Sequence, residues 1–304
     1  MRTLFGSVAL LAVGLSCGAA GFSFEEGLNL TLDQKPWLRT VTTPFMPDFR
    51  EDTYKVYTHL YDFDGIAPIT KGPGGKYTHH RGMFIGWKDT LVGENDYDTW
   101  HMPNCTQRHV RWRQLEVAEG TASQAEDIAW CDADGAPFIT EIRRISAQPG
   151  NNGLRIFDFY STLTSVKGTI HLRGDLQHAG MQVRMANEVS EHEDSTQYLL
   201  PEGAEELDND KVVGAWWVCC SPVVRETRYW VVHMTPADHP TGQPVYSIRR
   251  YARFGAFFET DLVEGQPLDL AFRVVVATRE LNREKCAALY RAYNDAREPV
   301  AANP

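Results

Sequence analysis

Between Tyr54 and Ala277 the chain is a succession of short apolar or alternating runs, each closed by a turn signal. The runs cover 55–60, 83–87, 110–117, 138–145, 154–166, 181–189, 212–220, 229–234 and 268–277. Gly72-Pro73-Gly74-Gly75, Asp134-Gly135, Gln148-Pro149-Gly150, Val166-Lys167-Gly168 and Gly242-Gln243-Pro244 punctuate them. Runs this short and this often interrupted read as strands, and many strands need a second layer to bury their apolar faces. The pattern predicts an all-β chain, with one large antiparallel β-sandwich domain over 51–300. A C-terminal helix is expected to close it. Asn282 can cap that helix, and Ala287, Leu289, Tyr290 and Tyr293 supply an apolar stripe. With 304 residues, 43% of them hydrophobic, the chain can fill a single large core.

The first fifty residues read differently. Met1-Arg2-Thr3 is a short positive start, 4–15 is an apolar run, and Cys17-Gly18-Ala19-Ala20-Gly21 is a stretch of small residues. This is the pattern of an export signal over 1–21, too short for the roughly 20 apolar residues that cross a bilayer. It predicts a periplasmic or secreted protein, with lipid attachment at Cys17 as the other processing route. Residues 22–50, interrupted by Pro36, Pro44 and Pro47, read as a leader segment. No later run is long enough to be a transmembrane segment. Loss of Cys17 would leave five of the six cysteines, with no C-x-x-C pair, so they read as small buried hydrophobes. Cys219 and Cys220 should point to opposite faces of one strand. Thirty basic against forty acidic residues give a net charge of −10, which argues against a nucleic-acid partner.

Polar chemistry concentrates in three segments. The first runs from Tyr77 through His79-His80-Arg81-Gly82 to Trp87 and Asp89, with Trp100-His101 and His109 following. If extended, it places His79, Arg81, Met83, Ile85 and Trp87 on one face and His80, Gly82, Phe84 and Gly86 on the other. The two adjacent histidines can then share a pocket only if the backbone kinks. In the second, 175–189, Ala179, Met181, Val183, Met185 and Val189 form an apolar face, opposite a row of His178, Gly180, Gln182, Arg184 and Glu188. Gly180 in that row is expected to clear room for a ligand. The third, 246–258, mixes aromatic residues with Arg249, Arg250 and Arg253. Imidazole can exchange protons near neutral pH, and guanidinium binds carboxylates or stabilises negative charge. His79, His80, His101 and His178 are therefore the candidate catalytic residues. Arg81, Trp87, Asp89, Trp100, His109, Glu141, Gln182, Arg184 and Arg253 are the candidate substrate-binding residues, and hydrolysis by two carboxylates would draw its pair from Asp89, Asp98, Glu141 and Asp175. The sequence requires no cofactor. No H-E-x-x-H or similar ligand spacing occurs, so a divalent metal would need ligands converging from separate strands.

The segments His-His-Arg-Gly-Met-Phe-Ile-Gly-Trp at 79–87, Gln-His-Ala-Gly-Met-Gln-Val-Arg at 177–184 and Tyr-Ala-Arg-Phe-Gly-Ala-Phe-Phe at 251–258 resemble a secreted bacterial family of unknown function. That family is often labelled "methane oxygenase PmoA". The resemblance runs from about Tyr54 to the final helix. It implies a β-sandwich like the galactose mutarotase supersandwich, and an association with polysaccharide degradation. The membrane methane oxygenase subunit has several membrane-spanning helices; this chain has none after its signal, so methane oxidation is rejected. Relatives carry Lys-Glu-Gly where this chain has His178-Ala179-Gly180, which would make His178 a subgroup feature.

Together these readings predict an exported carbohydrate-active enzyme. It would carry out histidine-mediated hydrolysis, elimination or epimerisation on an oligosaccharide or sugar acid. The alternatives are a non-catalytic carbohydrate-binding or envelope protein, and a metal-dependent enzyme with a histidine cluster.

Overall fold

Alternation decides which side of each strand is buried, and here it produces two facing antiparallel sheets. The computed structural model describes residues 21–25 and 29–297. The expected export signal and Cys17 lie outside the described residues, apart from Gly21. One sheet has ten strands, in the order Phe22–Glu25, Asn29–Leu32, Lys35–Val41, Tyr57–Leu60, Met83–Trp87, Ala179–Arg184, Arg253–Phe257, Val245–Arg249, Lys211–Val213 and Glu205–Leu207. The other has eight, in the order Gln197–Leu199, Trp217–Ser221, Trp230–Met234, Leu268–Ala277, Leu154–Ser165, Pro137–Gly150, Thr121–Asp132 and Cys105–Ala118. Met83, Ile85, Trp87, Met181, Val183 and Phe254 from the first meet Trp130, Ile139, Phe157, Phe159, Phe272 and Val274 from the second in one continuous core. The fold is an all-β sandwich.

The outer face of the eight-stranded sheet carries the helix Arg283–Asp295. The Asn282 side chain accepts from the Lys285 N–H at 2.9 Å, supplying the expected cap. Cys286 and Tyr293 bury a stripe against Trp217, Cys219, Val232, Met234 and Val275. Cys219 faces the helix while its neighbour Cys220 faces the inter-sheet core, as strand parity requires. The five described cysteines are buried and form no disulfide. No helix among the described residues is long and apolar enough to cross a membrane.

Three expectations change. Residues 22–50 are not a separate leader, because Phe22–Glu25, Asn29–Leu32 and Lys35–Val41 pair in sequence and Lys35–Val41 joins Tyr57–Leu60. Pro36 is tolerated in that sheet because the register shifts between Leu30 and Thr31, and a bulge accommodates a residue that cannot donate. Gln148-Pro149-Gly150 does not turn; it finishes the strand Pro137–Gly150, and the reversal falls at Asn151–Gly153. The run at 212–220 is two strands, one in each sheet, separated at Gly214, whose φ is +73°.

Candidate functional site

The strand Met83–Trp87 turns Met83, Ile85 and Trp87 into the inter-sheet core and Phe84 outward, against Tyr57 and Trp100. Gly86 lies on that outer row. A Cβ there would come within 2.5 Å of the Thr99 carbonyl oxygen, so the segment after Asp98 lies directly on the sheet. The cleft floor expected around Gly180 is likewise occupied by the protein's own chain: a Cβ at Gly180 would meet the Ala256 carbonyl and the Phe258 ring.

On this face two Asp-x-x-His segments are built alike. Asp98 Oδ1 accepts from the backbone N–H groups of Trp100 and His101, at 3.1 and 2.7 Å, and its Oδ2 lies 2.7 Å from His101 Nδ1. Asp175 Oδ1 accepts from the Gln177 N–H at 2.9 Å and lies 2.6 Å from His178 Nδ1. In each unit the carboxylate fixes a turn and accepts from Nδ1–H, leaving Nε2 free to exchange a proton. The two imidazole rings are neighbours, with centres 5.0 Å apart and planes tilted by 47°. Their side chains are 32% and 29% exposed, so both can be reached from solvent. Burial pulls the His178 pKa down, opposed by Asp175 and assisted by the charge of Arg253. Burial opposes ionisation of Asp175, yet the Gln177 N–H and His178 hold its carboxyl below the ordinary carboxylate value.

His79 and His80 lie behind this pair, and both enter the cluster because the strand has not yet begun. Tyr77 adopts φ +55°, and the His80 N–H closes a turn on the Tyr77 carbonyl at 3.0 Å. Centroid separations of 4.2 Å for His79–His80 and 4.3 Å for His79–His101 make a continuous string of imidazoles ending at His178. Burial, with His101 and Lys55 adding to it, lowers the His79 pKa to about 2. Burial, then Arg253 and His79, keeps His80 neutral far below its ordinary value.

Two buried lysines hold the loops that carry these rings. Lys55 Nζ donates to the carbonyls of Trp100 at 2.6 Å and His79 at 3.2 Å, and lies 4.7 Å from the centre of the Phe84 ring. Lys71 Nζ donates to the carbonyls of Gly72 at 2.9 Å and His80 at 3.4 Å. Burial lowers the Lys55 pKa to about 7 and the Lys71 pKa to about 8, with Arg81 adding to both shifts. Their hydrogen bonds to backbone carbonyls assign both to positioning.

The predicted arginines separate into two roles. Arg81 is spent on structure, donating to the carbonyls of Thr78, His80 and Glu51 and to the Glu51 carboxylate. Arg253 Nη1 and Nη2 donate to Ser247 Oγ at 2.8 Å and Gln177 Oε1 at 3.0 Å, and Gln182 Oε1 accepts from Nη1 at 3.2 Å. Gln182, fully buried, thus positions Arg253. Arg184 donates to the Tyr251 carbonyl and lies under the Tyr251 ring, 4.9 Å from its centre. Trp100 is completely buried, so it cannot offer an open stacking face; its ring edges meet His80 and His178.

Four other expected site residues are placed elsewhere. Trp87 faces the inter-sheet core and donates its Nε1–H to the Phe258 carbonyl at 3.0 Å. His109 is on the edge strand of the eight-stranded sheet, with Nδ1 2.7 Å from Glu126 Oε2. Glu141 is buried in that same sheet, accepting from Arg143, Trp130 and Ser161. Asp89 opens the strand Asp89–Val92 of a small four-stranded sheet and bears on Asp96. Asp98 and Asp175 enter the expected set only as possible hydrolytic carboxylates, and Lys55, Lys71, Tyr77 and Tyr251 are missing from it. The recurrence of Asp three places before His, at Asp98/His101 and Asp175/His178, is the signal that marks the first two. Among the described residues no group of three or more His, Cys, Asp or Glu side chains is arranged to hold a metal ion.

A family model described as "Family of unknown function (DUF6807)" matches residues 27–291. The chain belongs to this family. The match begins between the strands Phe22–Glu25 and Asn29–Leu32 and ends in the final helix, so the family's unit includes nearly all of both sheets and the whole histidine cluster. No curated protein matches the chain.

Proposed function

We propose that the protein is a carbohydrate-active enzyme in which the Asp98–His101 and Asp175–His178 pairs act as acid and base across one substrate. The observation that carries this reading is the closeness of two solvent-reachable imidazoles, each with Nδ1 held by its own carboxylate. Such a pair can remove a proton on one side of a bond and return one on the other, which is what hydrolysis, elimination and epimerisation of sugars share. Both carboxylates are already engaged in orienting imidazoles, which favours proton transfer through histidine over a two-carboxylate mechanism. The sugar assignment is supported by the half-exposed Tyr77 ring beside Tyr251 and by the resemblance described above. The apolar run at 4–15 supports a periplasmic or secreted setting.

The experiment is a screen of purified protein against neutral and acidic polysaccharides, reading new reducing ends, absorbance of unsaturated sugars and epimer ratios. Turnover is expected on at least one substrate. His101→Ala and His178→Ala should each lower it by about 10²–10⁴-fold, the usual worth of a positioned acid or base. Asp98→Asn should lower it by misorienting His101 while leaving the sugar bound. Binding without turnover across the screen would leave a carbohydrate-binding protein in place of an enzyme.

A further inference from the structure

Behind the proton-transfer pair lies a group of buried hydrogen-bonding atoms without partners. Arg184 Nε and Nη2, Arg253 Nε, Trp100 Nε1 and both ring nitrogens of His80 make no hydrogen bond. Arg184, Arg253 and Trp100 are at most 1% exposed, and His80 is 2% exposed. The four residues adjoin one another through their rings. The His80 ring stacks on Tyr251 at 5.9 Å and meets Trp100 edge-on at 6.1 Å. Tyr251 in turn covers Arg184, and Arg253 lies 5.7 Å from the centre of the Trp100 ring. Both guanidiniums act on His80.

Among the described residues, neither guanidinium has a carboxylate partner. Arg184 bonds only a carbonyl, and Arg253 only amide and hydroxyl oxygens. A buried cation lacking a counter-charge is costly, and so is each buried donor left unmade. The core pair Arg143–Glu141 shows the usual remedy in this same chain, with two guanidinium bonds at 2.8 and 2.9 Å to one carboxylate. Here the described residues supply no such acceptor, which points to a ligand that brings it.

We infer that Arg184 and Arg253, with His80 and Trp100, form a recognition subsite for the carboxylate of an acidic sugar, covered by the Tyr77–Tyr251 pair. The inference rests on the carbohydrate reading above and deepens it. Guanidinium edges match a planar oxyanion, and the aromatic walls of Trp100 and Tyr251 suit the apolar faces of a sugar ring. The orphan atoms do not touch solvent, so the ligand reaches them only when the cover parts. Tyr77 is built for that role. It is 41% exposed, holds φ +55° and follows Gly74 and Gly75 at φ +76° and +65°. Its ring is 4.7 Å from that of Tyr251. The loop is held at its exposed tip by Lys76–Glu193 at 2.7 Å and by the Lys76 N–H on Asn187 Oδ1 at 3.1 Å. Asp98 and Asp175 stand outside the subsite, paired to their own histidines.

The test titrates the full chain with short galacturonate oligomers and with their methyl esters, following tryptophan fluorescence and calorimetry. The acid should bind at least about tenfold more tightly than the ester. Arg253→Gln and Arg184→Gln should bring the two affinities together, and Tyr77→Ala should speed association while keeping the preference. Glucuronate oligomers and inorganic phosphate serve as further arms: competition by phosphate alone would reassign the subsite to free oxyanions and overturn the sugar-acid inference. Equal affinity of wild type for acid and ester overturns it, and that comparison decides the matter even if the arginine variants do not fold. Because binding is read without turnover, an intact acid preference in a protein that turns nothing over sinks only the enzymatic reading. Turnover of neutral sugars with no acid preference sinks only the subsite.

Discussion

Lowering the pH should unfold this protein early, before its ordinary carboxylates titrate. The cause is a set of histidines buried in neutral form. Burial lowers His59 and His239 to about 4 and His233 to about 3, and holds His80 well below its ordinary value. His233 is completely buried, between the Tyr246 hydroxyl at 3.2 Å and Met181 Sδ at 3.0 Å. In the unfolded chain all four titrate near 6.5. Below that value the unfolded state binds protons that the folded state refuses, so stability falls as pH falls. Each histidine contributes a slope of about 1.4 kcal/mol per pH unit between its unfolded and folded values. Going from about pH 6.5 to about pH 4.5, that is roughly 2 kcal/mol for each of His59, His233 and His239, with His80 adding in the same direction, and together a large part of the roughly 5–15 kcal/mol stability of a typical domain. Urea unfolding at successive pH values, followed by near-ultraviolet circular dichroism, measures the slope directly. The free energy should drop steeply from about pH 6 and the fold should be lost by about pH 4.5. His233→Gln should reduce the slope by about 1.4 kcal/mol per pH unit whatever it does to stability at neutral pH. A free energy that stays level down to about pH 5 would refute the reasoning, because it would mean these rings are protonated in the fold or reached by water.

Other consequences are as direct. Gly86→Ala puts a Cβ 2.5 Å from the Thr99 carbonyl oxygen, so the Asp98–His101 turn must lift off the sheet; the expected loss is roughly 1–3 kcal/mol, read as a lowered Tm together with altered Trp100 fluorescence. Arg143→Met leaves the Glu141 carboxylate fully buried without its cation and should cost about 3–5 kcal/mol in urea unfolding. Adding Glu141→Gln should recover much of that loss, and a double variant no better than the single would count against an ion pair at that position.

How far the sequence could be read depended on where each residue falls relative to a strand. Inside strands, period two was sufficient: Met83–Trp87 and Leu268–Ala277 begin and end where the apolar runs do, and Cys219 and Cys220 divide between two cores. Beyond a strand end the same arithmetic fails. His79 and His80 belong to a turn with Tyr77 at positive φ, so parity put them on opposite faces while the backbone brings their rings to 4.2 Å. Composition misled in other places. Trp87 and His109 sit in polar, aromatic neighbourhoods of the sequence, yet one is core and the other serves Glu126 on the far sheet. The residues of the strand Ala179–Arg184 that read as a solvated or cleft row are buried without exception, because Phe258, the Trp100 segment and the Tyr77 loop cover that face. Nothing local in the sequence announces a cover that comes from residues about eighty to a hundred positions away.

The charge pattern of the cluster follows from that cover. Lys55, Lys71, Arg81, Arg184 and Arg253 are all buried on the covered side of the ten-stranded sheet or at its rim, and their partners there are carbonyls, amides and hydroxyls, with Glu51 on Arg81 the one carboxylate. Carbonyl dipoles stabilise an ammonium or guanidinium without cancelling its charge, so the region stays electropositive. That field reaches the histidines: Arg253 lowers His80 and His178, and Lys55 lowers His79. Neutral imidazoles are what a proton acceptor needs to be at neutral pH, while the two aspartates at the mouth stabilise whichever ring has taken the proton. A positive interior behind neutral rings would favour a negatively charged sugar over a neutral one once it has passed the two aspartates. The same positive interior explains why the protein buries the cost of unpaired guanidiniums under aromatic rings instead of answering them with acids: a built-in carboxylate at Arg184 or Arg253 would neutralise the field on which both readings depend.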